Sequence, residues 1–340
     1  MKYHGFYATL VFASWVGYVL IVYPSHRVIS LFEFITDGYA PTKLANKGQQ
    51  VLALLMGDGF QSHLTSHNMH HESYIVNKLV SYMRSSGRKT LIELAAGSGI
   101  ASCRWAQMIR TAGLNDAAVL LTDLQPDLKG WAYRRNEFGR DKVHFLNRSV
   151  DAMNFFSSID ASTVASDELP PDLLQGGHIR VINFALHHFT PDLASKIIAD
   201  VIKSRSSILI GDLSPNPGGL LWNWLLALKY GVHDILINGI SPMDMWTAPL
   251  LPLLPFMACW DATVSVLRAY STTEILDMLN THIQQEKDTT GTCFYDIDTW
   301  TSSSFADWIG MPRALTAGLH YLGLRPYDPV MQFVFARPKC

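Results

Sequence analysis

The stretch Thr90-Leu91-Ile92-Glu93-Leu94-Ala95-Ala96-Gly97-Ser98-Gly99-Ile100-Ala101-Ser102 decides the fold that this sequence predicts. A short apolar run ends at an acid, passes through two glycines and continues into residues 103–109, which can form a helix. Glycine allows a sharp turn and a close approach between backbone and ligand, because it has no Cβ. The stretch therefore predicts a strand, a tight turn and a helix, with a small-molecule site at the carboxyl end of the strand.

Four more apolar runs follow, separated by helix-like stretches such as residues 193–202, whose apolar positions recur at helical spacing. Regular alternation of this kind predicts a mostly parallel sheet covered by helices on both faces. A polar residue ends or follows each run, namely Asp123 after 117–122, Asp151 after 143–146, His187 and His188 after 180–185, and Asp212 after 207–211. These residues would share the edge of the sheet at which ligands bind.

The motif Glu93-Leu94-Ala95-Ala96-Gly97-Ser98-Gly99, with the strand-end residues that follow it, resembles the class I S-adenosylmethionine-dependent methyltransferases over roughly residues 89–212. The family commonly has Gly-Cys or Gly-Thr where this chain has Ala95-Ala96. The resemblance implies a Rossmann-like α/β fold and S-adenosyl-L-methionine as the cofactor. It also implies that the glycine loop passes under the methionine part, that Asp123 binds the ribose hydroxyls, and that Asp151 meets the adenine amino group. The implied cofactor-binding set is Glu93, Ala95, Gly97, Gly99, Asp123, Leu124, Asp151, Ala152, Asn183 and Phe184.

Methyl transfer from a sulfonium requires alignment of the acceptor and, for a hydroxyl acceptor, a base. His187 and His188 follow the fourth strand and are the candidate bases. Asp212 and Asp261 are further candidates, the second because it lies between an apolar insertion and a strand-like run. Either acid could instead cap a helix or form an ion pair with Arg268.

The chain divides into five predicted segments: a membrane anchor helix (1–27), an N-terminal helical region (28–88), the cofactor-binding core (89–212), an apolar helical cap insertion (213–262) and a C-terminal completion of the sheet (263–340). Residues 5–23 lack charged side chains and are flanked by aromatic ones, which is typical of a membrane-spanning helix. The prediction is a membrane location with a single N-terminal pass and the catalytic domain facing the cytosol. A signal peptide or a buried or interfacial helix is the alternative for the anchor, and extra core packing is the alternative for the cap.

The composition limits the partners. A net charge of −2 provides no basic field for a phosphate backbone, so nucleic acid is excluded as a partner. No metal is predicted, because the four cysteines are scattered and the histidine-rich piece 63–72 lacks the HExxH spacing. The apolar residues make up 48% of the chain, which favours a lipophilic ligand or membrane contact in addition to an ordinary core.

The predicted function is S-adenosylmethionine-dependent methyl transfer to a lipophilic small molecule at a membrane, with O-methylation of a secondary or lipid-like metabolite favoured. One alternative binds the same cofactor and catalyses cyclisation or rearrangement without methyl transfer, and another is a non-catalytic binding protein. The third is an NAD(P)-linked oxidoreductase, since Gly97-x-Gly99-x-x-Ser102 approximates a dinucleotide fingerprint. Ser102 at the third glycine position, together with Glu93 and Asp151, disfavours the oxidoreductase.

Overall fold

The computed structural model describes residues 68–155, 177–216, 253–292, 294–301 and 331–339. The predicted anchor helix (1–27) and the middle of the predicted cap (217–252) lie outside these residues. The division of the chain into five segments therefore stays a prediction.

Seven strands form one sheet in the order β3-β2-β1-β4-β5-β7-β6. They are β1 (Thr90–Glu93), β2 (Ala118–Leu121), β3 (Val143–Phe145), β4 (His178–Asn183), β5 (Ser207–Leu213), β6 (Tyr295–Thr301) and β7 (Met331–Pro338). Strands β1 to β5 pair in parallel, whereas β7 runs antiparallel to both β5 and β6. This order and these directions confirm the predicted Rossmann-like sheet of the class I methyltransferase fold.

Helices cover both faces of the sheet. Those in the described residues are α1 (Asn68–Ser86), α2 (Ile100–Thr111), α3 (Leu128–Phe138), α4 (Pro191–Lys203), α5 (Leu253–Arg268) and α6 (Thr272–Thr290). Successive strand residues point to opposite faces. In β1, Leu91 belongs to the apolar layer that includes α1 and α2, and Ile92 belongs to the layer that includes α4 and α6. Helix α6 begins with a capping box, in which Ser271 and Glu274 bond each other's backbone N–H.

Two local predictions from the sequence differ from the structure. The prediction of a strand-like run after Asp261 is wrong, because residues as far as Arg268 belong to helix α5. Val264 and Val266 favour a strand locally, yet both are fully buried in the helix, so tertiary packing overrides their propensity. Strand β6 has no counterpart among the predicted strands, because Asp296 and Asp298 interrupt its apolar character.

The predicted membrane location is corrected by the described helices. The two longest, α1 and α6, have 19 residues each and carry several charged side chains. Of the helices between Asn68 and Thr290 that the structure describes, none combines the length and the apolar character needed to cross a bilayer. Residues 5–23, on which the prediction of an anchor rests, lie outside the described residues.

A buried cation joins β4 to α4. Arg180 Nη1 donates to Asp200 Oδ2 at 2.6 Å, and Arg180 Nη2 donates to Ser204 Oγ at 2.9 Å. The guanidinium also lies 4.9 Å from the centre of the Phe155 ring. Burial lowers the pKa of Arg180, and the charge of Asp200 opposes that shift. The ion pair is therefore what keeps a charge tolerable inside the sheet.

We expect Asp200→Ala to lower the free energy of unfolding by about 3 kcal/mol, because it leaves the buried guanidinium without its carboxylate. Arg180→Met removes the buried charge as well and should cost clearly less, since Asp200 remains partly exposed to water. Urea denaturation of both variants at pH 7 measures the difference. Equal losses would contradict a dominant role for the uncompensated charge.

Candidate functional site

The loop between β1 and α2 contains three residues with left-handed backbone, Ala95 (φ 52°), Gly97 (φ 49°) and Gly99 (φ 65°). Gly99 caps α2, and a Cβ at this position would lie 2.5 Å from Leu121 Cδ1, so a larger residue would have to displace the Leu121 side chain. Ala95 has a Cβ in a conformation that costs an L-residue about 1 kcal/mol or more.

The glycine loop is hydrogen-bonded to the segment after β2 through Gly97 and Asp123, two of the predicted cofactor-binding residues. The Gly97 N–H donates to Asp123 Oδ2 at 2.9 Å, and the Gln125 N–H donates to Asp123 Oδ1 at 2.9 Å. A carboxylate oxygen accepts more than one hydrogen bond, so this acid retains capacity for a ligand. On the other side of the loop, the fully buried Trp131 donates from Nε1 to the Gly97 carbonyl at 2.7 Å. Trp131 is not among the predicted site residues, because its position in α3 carries no local signal of this contact.

Glu93 ends β1 beneath the loop and is only 2% exposed. Its Oε2 atom is buried and has no hydrogen-bond partner among the residues that the structure describes. Burial raises the pKa of Glu93 to about 8, the Ser102 hydroxyl acts in the opposite direction, and the negative charge of Asp123 adds to the rise. The side chain is therefore largely a neutral carboxylic acid at pH 7.

Asp151 caps the short helical turn that follows β3. Its Oδ1 accepts a hydrogen bond from the Met153 N–H at 2.9 Å, and its Oδ2 accepts one from the Asn154 side-chain amide at 3.2 Å. Ala152 lies buried in that turn. Leu124 follows the acid at the end of β2 and is 62% exposed, which leaves an apolar side chain open to solvent. The predicted contact of Asp151 with adenine and the predicted cofactor-binding roles of Ala152 and Leu124 stay predictions.

His187 and Asp212 form a buried pair at the ends of β4 and β5. Asp212 Oδ1 lies 2.7 Å from His187 Nδ1, and Asp212 Oδ2 accepts the backbone N–H of His187 at 3.0 Å. Asp212 Oδ1 also accepts the N–H of Leu213 at 2.8 Å. Because the carboxylate only accepts, Nδ1 carries the proton and Nε2 is the basic nitrogen. A base oriented by a third group in this way is suited to proton transfer.

Of the other two predicted catalytic residues, His188 lies against His187, and Asp261 belongs to a helix that contacts the turn. His188 is exposed, and its ring centre lies 4.2 Å from that of His187. Asp261 is buried in α5, and α5 contacts the turn Leu186–His188. Of the four candidates from the sequence, the structure thus pairs His187 with Asp212 directly. Catalytic roles for His188 and Asp261 stay predictions.

The end of β4 contributes Asn183 and Phe184. Asn183 Oδ1 is buried without a hydrogen-bond partner in the described residues, and a Cβ on Gly211 would approach it to 3.1 Å. Phe184 has φ 53° and donates its N–H to the Gly211 carbonyl at 2.7 Å. Its ring packs against an apolar cluster that includes Leu213 and Val266. Strained non-glycine residues thus end both β1 and β4, which are neighbours in the sheet.

In the residues that the structure describes, no three His, Cys, Asp or Glu side chains are grouped so that they could bind a metal ion. Strand-end residues from five parallel strands lie along one edge of the sheet. The site combines a buried neutral acid, a partly exposed carboxylate beside a glycine loop, and an oriented imidazole.

No protein-family model matches this chain, and no curated protein matches it in sequence. Among solved structures, the plantazolicin methyltransferase BpumL in complex with a triazolic desmethylPZN analog and SAH has a TM-score of 0.41 and 11% identity, over 88% of this chain and 98% of that chain. The YcgJ protein from Bacillus subtilis has a TM-score of 0.38 and 14% identity, over 80% of this chain and 100% of that chain. An O-methyltransferase family protein from Burkholderia thailandensis has a TM-score of 0.37 and 12% identity, over 86% of this chain and 70% of that chain. Likeness at this level leaves the activity to be argued from the residues of this chain.

Proposed function

We propose that this protein binds S-adenosylmethionine and transfers its methyl group to a hydroxyl of a lipophilic small molecule. The observation that carries the proposal is the buried His187–Asp212 pair, which lies at the same edge of the sheet as Glu93 and the Gly97–Asp123 contact. One edge therefore offers a place for a nucleoside and a base for an acceptor.

The residues at this edge fit the cofactor. Asp123 has the carboxylate that a vicinal diol requires, and it lies against the glycine loop. Glu93 Oε2, buried and unpartnered in the described part of the chain, is an acceptor suited to the ammonium group of the methionine part. Leu124 provides an exposed apolar side chain for the adenine face. Bound S-adenosylmethionine would supply a methyl group activated by its sulfonium charge.

His187 would remove the proton of the acceptor hydroxyl. Its Nδ1–H is held by Asp212, so Nε2 is the nitrogen that accepts the proton, and the carboxylate stabilises the imidazolium that results. Both side chains are buried, which strengthens this electrostatic stabilisation. The alignment of acceptor and methyl group would come from the residues around them.

The surroundings of the pair favour an apolar acceptor. Phe184 follows β4, and its ring packs with Leu213, Val266 and Ala269 into an apolar cluster next to Asp212. Ligand pockets for lipophilic molecules are lined mainly by such side chains, with few polar groups. The base would then be the main polar group that the acceptor meets.

We expect calorimetry to show binding of S-adenosylmethionine to the full chain and Asp123→Asn to weaken it about 10- to 100-fold, as loss of hydrogen bonds to a charged group predicts. Asparagine retains one oxygen that can accept the Gly97 N–H, so the glycine loop should keep this bond, whereas the bond from the Gln125 N–H is lost. Asp116→Asn is the matched control, because Asp116 lies at the opposite end of β2 from Asp123 and is paired with Lys89. This variant should bind S-adenosylmethionine like the wild type.

Release of S-adenosylhomocysteine with a panel of hydroxylated apolar compounds then tests methyl transfer. Absence of cofactor binding in the wild type would overturn the proposal. Product formation without that release would instead favour a cofactor-assisted rearrangement.

A further inference from the structure

A buried glutamine lies directly opposite the acid of the candidate dyad. Gln332 in β7 pairs with Asp212 in β5 across the antiparallel ladder, and both side chains are buried. Directly opposite residues share a face of the sheet. The hydrogen bonds of the Gln332 side chain can therefore affect the position of the end of β5, where Asp212 lies.

The Gln332 amide is fully engaged. Nε2 donates to the Leu213 carbonyl at 3.0 Å and also to the Tyr270 carbonyl. Oε1 accepts from the Thr272 hydroxyl at 2.7 Å. These bonds fix which end of the amide is oxygen and which is nitrogen. They tie the end of β5 to the segment that joins α5 to α6.

Tyr270 continues the chain of bonds to the turn that carries His187. The Tyr270 hydroxyl donates to the Phe189 carbonyl at 2.8 Å, and its side chain is buried. Phe189 directly follows the turn and closes it by donating its N–H to the Leu186 carbonyl at 3.0 Å. The turn is thus bonded by Asp212 near its middle and by Tyr270 at its end.

We propose that Tyr270 and Gln332 are positioning residues, which fix the turn Leu186–His188 so that His187 Nε2 faces the acceptor hydroxyl. The inference rests on the proposed function of His187. Displacement of a catalytic group by about 1 Å costs roughly 100-fold in rate, so partial release of the turn should have a measurable effect. Neither residue needs to touch the substrate for this effect.

The opposite end of β5 offers matched controls. The Tyr82 hydroxyl lies 2.6 Å from Ser207 Oγ, and the Tyr295 hydroxyl donates to the Ser206 carbonyl at 3.1 Å. Ser207 begins β5 and Leu213 ends it. Removal of one of these hydroxyls deletes the same kind of hydrogen bond at the end of the strand remote from His187.

The experiment compares Tyr270→Phe with Tyr82→Phe in the full chain. Both variants should show similar small decreases in Tm. Only Tyr270→Phe should lower kcat, by about tenfold, with KM for the cofactor unchanged. Thr272→Val, which removes the hydrogen bond to Gln332 Oε1 while keeping the side-chain volume, should also lower kcat, though by less. Equal kcat for Tyr270→Phe and Tyr82→Phe would overturn the proposal.

A second readout does not depend on methyl transfer. The imidazole of His187 is titrated by NMR in histidine-labelled protein, with His187→Gln to assign its signals. A change in its titration or in its Nδ1 proton signal in Tyr270→Phe, but not in Tyr82→Phe, would support positioning even if the wild type transferred no methyl group. Unchanged signals in both variants would overturn positioning, whereas a wild type without activity would overturn only the proposed function.

Discussion

Replacement of His187 by Gln is expected to lower kcat for methyl transfer by about 10²- to 10⁴-fold, the range for loss of a general base. Glutamine fills similar space but offers no basic nitrogen at the position of Nε2. The affinity for S-adenosylmethionine should stay within about twofold, because His187 is not among the residues that fit the cofactor. Single-turnover kinetics with calorimetry in parallel measures the two effects separately.

Asp212→Asn should lower kcat to a similar extent for a different reason. Asp212 now accepts from His187 N, His187 Nδ1 and Leu213 N. An asparagine has one acceptor oxygen, and its NH₂ group would face a donor, which favours the tautomer with the proton on Nε2. The imidazole would remain in place yet could no longer accept a proton at that nitrogen.

Two further histidine variants control this prediction. His282→Gln alters a histidine that bonds Ser195 and Gln285 between α4 and α6, so it should leave kcat unchanged. His188→Gln tests the neighbouring ring. Full activity of His187→Gln combined with inactivity of His188→Gln would assign the base to His188 and contradict the role of the dyad.

The second large effect concerns stability against pH. The pKa of Glu93 is raised from 4.5 to about 8 in the folded protein, chiefly by burial. Between these values the folded chain binds a proton that the unfolded chain has lost, so the free energy of unfolding falls as pH rises. The contribution is fully present below the unfolded pKa and is lost as pH approaches the folded pKa. Between the two pKa values, the free energy of unfolding falls by up to about 1.4 kcal/mol per pH unit because of Glu93.

Glu93→Gln copies the neutral acid and should remove this slope, so that the variant is more stable than the wild type at pH 8 and similar to it at pH 4.5. Urea denaturation at several pH values measures the difference between the two proteins. Glu137→Gln, at an exposed acid paired with Arg134, should keep the wild-type slope. An identical slope in Glu93→Gln would show that the buried acid is not neutral.

The same substitution should weaken cofactor binding, because a glutamine cannot ionise to meet an ammonium group. In the wild type, binding of that cation would release the Glu93 proton, and affinity should therefore rise with pH toward 8. In the proposed function, Glu93 lowers the stability of the free protein at high pH and supplies the negative charge that meets the bound ammonium group. Opposite signs for stability and affinity in one variant would distinguish this role from ordinary core packing.

Local patterns predict the strands and their polar ends well, because apolar runs with acids or histidines after them place those residues at one edge of a parallel sheet. The resemblance adds the fold, and the topology confirms it. The pairing of His187 with Asp212 depends on the register of β4 against β5, in which Asn183 lies opposite Gly211. That register is not readable from either strand alone.

Other features escape prediction because they are long-range. The bond from Trp131 to Gly97 crosses 34 residues, and the bond from Tyr270 to Phe189 crosses 81. Both connect a residue whose local sequence shows no special pattern to a loop of the candidate site. Helix α5 is a different case, since its valines favour a strand and only burial against the rest of the fold makes them helical.

Strand β7 lies inside the sheet, and this position affects the order in which the strands can pair during folding. Gln332 and Leu213 are bonded across 119 residues of sequence, so β5 stays an open edge until a long loop has closed. Closure of such a loop is entropically costly and slows folding, and an unpaired strand edge invites association between nascent chains. We therefore expect the strand that presents Asp212 to gain its β7 neighbour only after residues 331–338 have been synthesised.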